Sequence, residues 1–158
     1  MRDRPGPSIL FDFFRAAQHV RLLLADAMAD CGMRPDEYAV YSVLVDDGPS
    51  SPTRMAEATG VPPTSMSNYV RAMVDRGHVE RVRNARDGRS VVLSLTPSGR
   101  AAHRRANRAF EEANRRFLDS LEGAGVAFDD VRASVRTVAD AAEAASHDLR
   151  HASLRRVG

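Results

Sequence analysis

The 158-residue sequence contains no lysine, no tryptophan and one cysteine, Cys31. A single thiol excludes an intrachain disulfide, and without clustered cysteines no finger-type or ribbon-type zinc site can be built. Apolar packing must hold the fold together. No apolar run approaches the roughly 20 residues of a membrane helix, and Met1 to Ser8 is polar and proline-rich, unlike a secretory leader. The expectation is a cytoplasmic protein with no membrane partner. A glycine-rich phosphate loop, a nucleophile elbow, paired catalytic carboxylates and an H-E-x-x-H helix are all missing too. No enzyme is expected, and neither a cofactor nor a metal is called for.

What is present is an ordinary globular composition, 43% hydrophobic and 28% charged with 10 glycines and 8 prolines, which excludes disorder over most of the chain. The length suits one domain spanning residues 1–158. The net charge is only +2, but it is unevenly placed. Residues 1–50 carry 5 arginines against 8 acids (net −3), residues 51–100 carry 8 against 4 (net +4), and residues 101–158 carry 10 against 9 (net +1). The middle is the basic part. GC-rich codon usage accounts for the exclusive choice of arginine, although arginine also suits bidentate contacts to phosphate and guanine.

From Ser8 to Ala29, apolar residues recur with three-and-four spacing through Ile9, Phe13, Val20, Leu24 and Met28, the pattern of a long amphipathic helix ended at Cys31-Gly32. Pro35 opens a second helix to about Asp46. Ser51 caps a short third helix, Pro52 to Thr59, closed by Gly60. Pro62-Pro63 opens a fourth, to about Arg76, with Met66, Val70 and Met73 on one face and Thr64, Ser65, Ser67, Asn68 and Arg71 on the other. Two β-prone runs follow, His78 to Arg83 and Ser90 to Leu95, joined by a loop with an Asp-Gly turn signal. Val91, Leu93 and Leu95 share one side of the second strand. Thr96 caps a long helix from Pro97 to about Leu121, and a last helix runs from Phe128 to about Leu149, with Arg150 to Gly158 expected to fray. The fold class is mainly α with a small β-hairpin wing, a winged helix-turn-helix flanked by long helices.

Asp87-Gly88-Arg89 is followed after five residues by Leu95-Thr96 and then, two residues on, by Gly99. Together with Met55-Ala56-Glu57, Thr59-Gly60-Val61 and Val79-Glu80-Arg81, these spacings resemble the MarR family of bacterial transcriptional regulators, over nearly the whole chain. The family reads D-x-R, five residues, L-T, two residues, G. Four positions depart from its pattern: Pro62 stands where a serine is usual, Asn68 and Gly88 where arginine is frequent, and Arg71 where an acid is frequent. The operator therefore does not carry over.

The resemblance implies a repressor binding double-stranded DNA as a homodimer on a palindromic site. Residues 35–96 would be the DNA-binding lobe, with 8–31 and 97–150 as dimerisation helices. On the residues themselves, Thr64, Ser65, Ser67, Asn68 and Arg71 lie within two turns of a helix start, where short polar side chains and the helix dipole suit phosphate and base edges. Asn68 fits adenine, and Arg71 fits guanine or phosphate. Arg86 and Arg89 at the wing suit the backbone and a narrow minor groove, with Asp87 placed to orient Arg89. Taken singly, each of these would read as a solvated surface residue; the combination favours DNA. The family also implies a pocket for a small aromatic effector, here lined by Phe14, Gln18, Tyr38 and Tyr41, although both tyrosines also read as plain core.

The competing readings are a winged-helix protein-interaction module without DNA binding, or a redox- or metal-responsive regulator. Cys31 ends a helix, where the dipole disfavours a thiolate. The candidate ligands His103, Cys31 and Glu37, or His147 with His151, lack the spacing of a built site.

Overall fold

A computed structural model describes residues 8–83 and 91–154. The described residues form two compact units, one through Ala113 and one from Asn114 onward. In chain order the elements are α1 (Ile9–Ala27), α2 (Pro35–Asp46), α3 (Pro52–Thr59), α4 (Pro63–Asp75), β1 (Val79–Arg83), β2 (Val91–Leu95), α5 (Pro97–Gly123) and α6 (Phe128–Leu154). This is the winged-helix order expected from the sequence.

The first unit is built around α2. Its residues Glu37, Val40, Tyr41 and Leu44 are buried at the spacing of one helix face. Five methionines, Met28, Met33, Met55, Met66 and Met73, join them, with Val79, Leu93 and Leu95 from the hairpin and Ala102 and Ala106 from α5. Each large apolar side chain buried this way contributes about 1.5–3 kcal/mol. The fully buried side chains of α3 and α4 are thioethers, Met55 on one and Met66 and Met73 on the other, with Ala56, Tyr69 and Val70 half-buried against the core. α5 presents small residues instead, Gly99, Ala102, Ala106 and Ala113, so its backbone lies close to the lobe.

Caps hold the short elements in place. Ser51 Oγ accepts from the Arg54 N–H at 3.2 Å, starting α3 where the sequence placed it. β1 and β2 pair antiparallel with Val79 opposite Leu95 and Arg83 opposite Val91. Ser50 adds a one-residue third strand, exchanging two backbone bonds of 3.0 and 2.9 Å with Leu93. Leu93 and Leu95 point inward as expected, but Val91 is 54% exposed, while Val92 on the other side of the strand is buried.

At the join of hairpin and α5, Thr96 Oγ1 donates to the Gly77 carbonyl at 2.8 Å and accepts from the Gly99 N–H at 3.1 Å. Gly99 lies so close to the His78 carbonyl that a Cβ built on it would sit 2.1 Å from that oxygen. The Leu-Thr-x-x-Gly spacing is thus a junction: one hydroxyl caps α5 and ties it to the turn before β1, and the glycine lets the two backbones touch.

In the second unit α5 ends at a turn where Gly125 adopts a left-handed φ of 71°. Asp129 and Asp130 stand in the first turn of α6, complementing its dipole. α6 runs on to Leu154, since no glycine or proline interrupts its alanine-rich sequence; residues 155–158, the end of the stretch expected to fray, lie outside the described residues. Among the described residues no helix is long and apolar enough to cross a membrane.

Candidate nucleic-acid interface

α4 follows α3 through a turn in which Gly60 takes a left-handed φ of 68°. Pro62 and Pro63 then fix the start of α4, and no side chain caps it. The first-turn N–H groups of Thr64 and Ser65 have no acceptor inside the helix by geometry, leaving them directed at the space before it. Thr64, Ser67, Asn68 and Arg71 are all exposed, whereas Ser65 is half-buried. Their 64-67-68-71 spacing puts them on one face, opposite the buried Met66 and Met73. Ser67 Oγ donates to the Pro63 carbonyl at 3.0 Å, so its hydroxyl is left as an acceptor toward anything outside. The structure therefore brings the five helix residues together. Arg86, Asp87 and Arg89 lie outside the described residues.

The sequence reading overlooked two arginines on the wing strand. Arg81 and Arg83 are exposed and two apart on β1, so they share a face of the hairpin. The alternation Arg81-Val82-Arg83 was the available signal.

A second set missed from sequence lies beneath the presented face. Asp36 Oδ2 accepts from Arg21 of α1 at 3.1 Å and from the Tyr69 hydroxyl of α4 at 3.2 Å. Glu37, buried at 3% exposure, accepts from the Arg34 N–H and from Arg76, each at 3.1 Å. The Arg34 guanidinium lies 5.6 Å over the Tyr69 ring. Burial, then the Asp36 charge, raises the Tyr69 pKa, so its hydroxyl remains a donor. Glu37, three residues into α2 from Arg34, was legible as a capping position. The Asp36–Tyr69 contact spans 33 residues and left no local signal.

The residues proposed for an effector pocket are dispersed. Gln18 faces a cavity of about 340 Å³ whose wall also includes Arg21, Leu22, Ala25, Pro35 and Asp36. Phe14 is exposed and stacked on Phe11. Tyr38 stacks 5.2 Å from His103 and 4.9 Å from Phe110, with its hydroxyl donating to Asn107 Oδ1 at 2.6 Å. Tyr41 corrects the expectation: it is 0% exposed and bonded to His78 Nδ1 at 2.8 Å, a core residue with its hydroxyl satisfied locally.

His103 is also buried. Because the Ser42 hydroxyl donates to the Tyr38 carbonyl at 2.9 Å, the 3.0 Å contact between Ser42 and His103 Nε2 needs the ring to donate, which assigns the Nε2–H tautomer. Burial lowers the pKa of both His78 and His103, keeping them neutral. Three of the residues weighed as metal ligands are separately engaged: His103 by Ser42, Glu37 by Arg34 and Arg76, and Cys31 by the Met28 carbonyl at 3.1 Å.

Comparison with known proteins agrees with this geometry. Residues 32–90 match the model of the MarR family. The HTH-type transcriptional repressor Rv2887 of Mycobacterium tuberculosis is 28% identical over 108 residues, covering 68% of this chain and 78% of that protein. A probable transcriptional regulator from Pseudomonas aeruginosa superposes with a TM-score of 0.69 at 25% identity, over 87% of this chain and 98% of that one. The PcaV regulator of Streptomyces coelicolor, solved with its natural ligand, superposes with a TM-score of 0.67 at 26% identity, over 90% and 94%. With its helix-turn-helix, hairpin and Thr96–Gly99 junction arranged in this way, the chain is similar to the MarR family of transcriptional regulators.

Proposed function

We propose that this regulator is a cytoplasmic, non-enzymatic repressor that binds a palindromic DNA site as a homodimer and is released by a small aromatic ligand. The observation that carries the DNA assignment is the single exposed face of α4 formed by Thr64, Ser67, Asn68 and Arg71, held outward by Met66 and Met73. In this reading Asn68 and Arg71 reach base edges in the major groove, while Ser65 and the first-turn N–H groups meet phosphate. Arg81 and Arg83 add positive charge to β1, and Arg86, Asp87 and Arg89 are proposed to contact DNA as well.

Residues 35–96 act as the DNA-binding lobe, with 8–31 and 97–150 as dimerisation helices. In support, α1 buries none of its residues within the chain, and Ile9, Leu10, Phe11, Phe14 and Leu22 are 58–73% exposed. An apolar face of that extent calls for a partner surface. A two-fold dimer would set two copies of α4 about 34 Å apart, one turn of DNA.

The effector assignment draws on PcaV, which was solved with its natural ligand. In this reading Tyr38 is the group suited to an aromatic acid or phenol, with Phe14 and Gln18 contributed by α1. The test of the whole reading is a mobility-shift titration on DNA upstream of the chain's own gene, across a salt series, with light scattering for the oligomeric state. A monomer at micromolar concentration that retains no DNA at low salt refutes it. Full ligand response in a folded Tyr38→Ala variant removes the effector site alone.

A further inference from the structure

α4 is seated by apolar contacts, with Val70 and Tyr69 half-buried beside the two methionines, and by polar contacts at Tyr69 and Arg76. Met66 and Met73 supply apolar burial, but a thioether on an unbranched chain accommodates several rotations of the helix about its axis. A hydrogen bond to a fixed oxygen does not. The Tyr69 hydroxyl makes such a bond, from the position next to Asn68, and its acceptor Asp36 Oδ2 also receives Arg21 of α1. One oxygen therefore touches both the helix that presents the exposed apolar face and the helix that presents the polar one.

We propose that Asp36 is a positioning residue for DNA recognition: it links α1 to α4 through Arg21 and Tyr69, so that the rotational setting of the base-reading face is governed from α1. The inference rests on the DNA-binding reading above. The link is suited to orientation rather than to bulk stability. The Arg21 and Asp36 side chains are 62% and 39% exposed, and ion pairs of that exposure contribute little to folding. If the link fails, α4 samples other settings. Operator affinity then falls in proportion to the fraction of molecules in the competent one. Sequence-independent attraction to phosphate is untouched, because none of the three residues belongs to the presented face.

The experiment is a double-mutant cycle on the full chain, with Arg21→Ala, Tyr69→Phe and both together, titrated on an operator duplex and on a scrambled duplex. Tyr69→Phe keeps the ring under Arg34 and removes only the hydroxyl. Each single variant is expected to weaken operator binding about three- to tenfold, to leave scrambled-duplex binding unchanged and to melt within a few degrees of wild type. Since both act through one carboxylate, the double variant should fall short of the product of the single effects by about threefold or more. In an Asp36→Ala background neither substitution should weaken binding further. Multiplying effects, or equal losses on both duplexes, overturn the proposal, and neither result requires Asp36→Ala to fold. A wild type that binds no duplex at low salt overturns the DNA reading and this inference with it, whereas a discriminating wild type with an additive cycle overturns the inference alone.

Discussion

Gly99→Ala tests the junction between hairpin and α5, and its size follows from the geometry. The added Cβ would stand 2.1 Å from the His78 carbonyl oxygen, 2.9 Å from its carbon and 3.0 Å from Leu95 Cδ2. Two of these three atoms are backbone, so the clash cannot be relieved by turning a side chain. α5 must move away from the strand entry, which also strains the 3.1 Å cap from Gly99 N–H to Thr96 Oγ1 and the 2.8 Å bond from Thr96 to Gly77. Overpacking of this kind costs about 1–3 kcal/mol, and a weakened cap adds about 1 kcal/mol. The sum, about 2–4 kcal/mol, is a large share of the total for a protein of this size. Gly123→Ala is the internal control, because it lies at the end of the same helix with nothing within 4 Å of its added Cβ. There, alanine should stabilise by up to about 1 kcal/mol through helix propensity. Urea denaturation with unchanged slope separates the two. Equal midpoints for the two variants would refute the close-approach account of Gly99.

On DNA, Arg89→Ala should lower the salt slope of binding by about 1 and weaken operator and random sequence alike. Asn68→Ala should cost about 1–3 kcal/mol on the operator and relax its base preference; equal losses on random DNA would show that Asn68 reads no base. Burial depresses the His78 and His103 pKa values below 6.5, so the unfolded chain takes up protons first as pH falls. The stability they contribute is complete above pH 6.5 and is lost as pH drops toward their lower native values. Melting temperature measured from pH 7.5 to 5 should decline over that window, and His103→Gln should flatten the decline.

The helices and hairpin were legible because punctuation and periodicity agreed. Ser51-Pro52, Pro62-Pro63 and Thr96-Pro97 each mark a helix start, and Gly60 and Gly77 each mark an end. The polar face of α4 was legible too, since a face follows from spacing within one helix. What could not be read was anything decided by contacts between distant segments. Tyr38 and Tyr41 are three residues apart on α2 and look alike in sequence. One stacks at the edge of the lobe against His103 and Phe110, while the other is wholly buried against His78. Val91 alternates with the buried Leu93 and Leu95 and yet is exposed, which the alternation does not encode. Asp36 and Glu37 are adjacent acids in the first turn of α2, where both read as dipole partners. Tertiary packing sends Asp36 to Tyr69 and Glu37 to Arg76.

That divergence makes Glu37 and Arg76 unequal partners, and the inequality can be measured. The Glu37 side chain is 4% exposed and Arg76 is 40% exposed. Removing the arginine leaves a carboxylate buried beside α4 with the Arg34 N–H at 3.1 Å and the Arg34 guanidinium at 3.5 Å as its remaining support. Loss of a partner from a buried pair costs about 3–5 kcal/mol when nothing replaces it, and the surviving Arg34 contacts should bring Arg76→Leu to about 2–3 kcal/mol. Removing the charge from the acid instead leaves Arg76 able to turn into water, and a glutamine at 37 still accepts from the Arg34 N–H. Glu37→Gln should therefore cost only about 1 kcal/mol, the scale of one ordinary hydrogen bond. Urea midpoints of the two variants decide the matter. If Glu37→Gln proves the more damaging, the Glu37 charge is supported chiefly by Arg34 and not by Arg76, and the unequal-partner account of the pair fails.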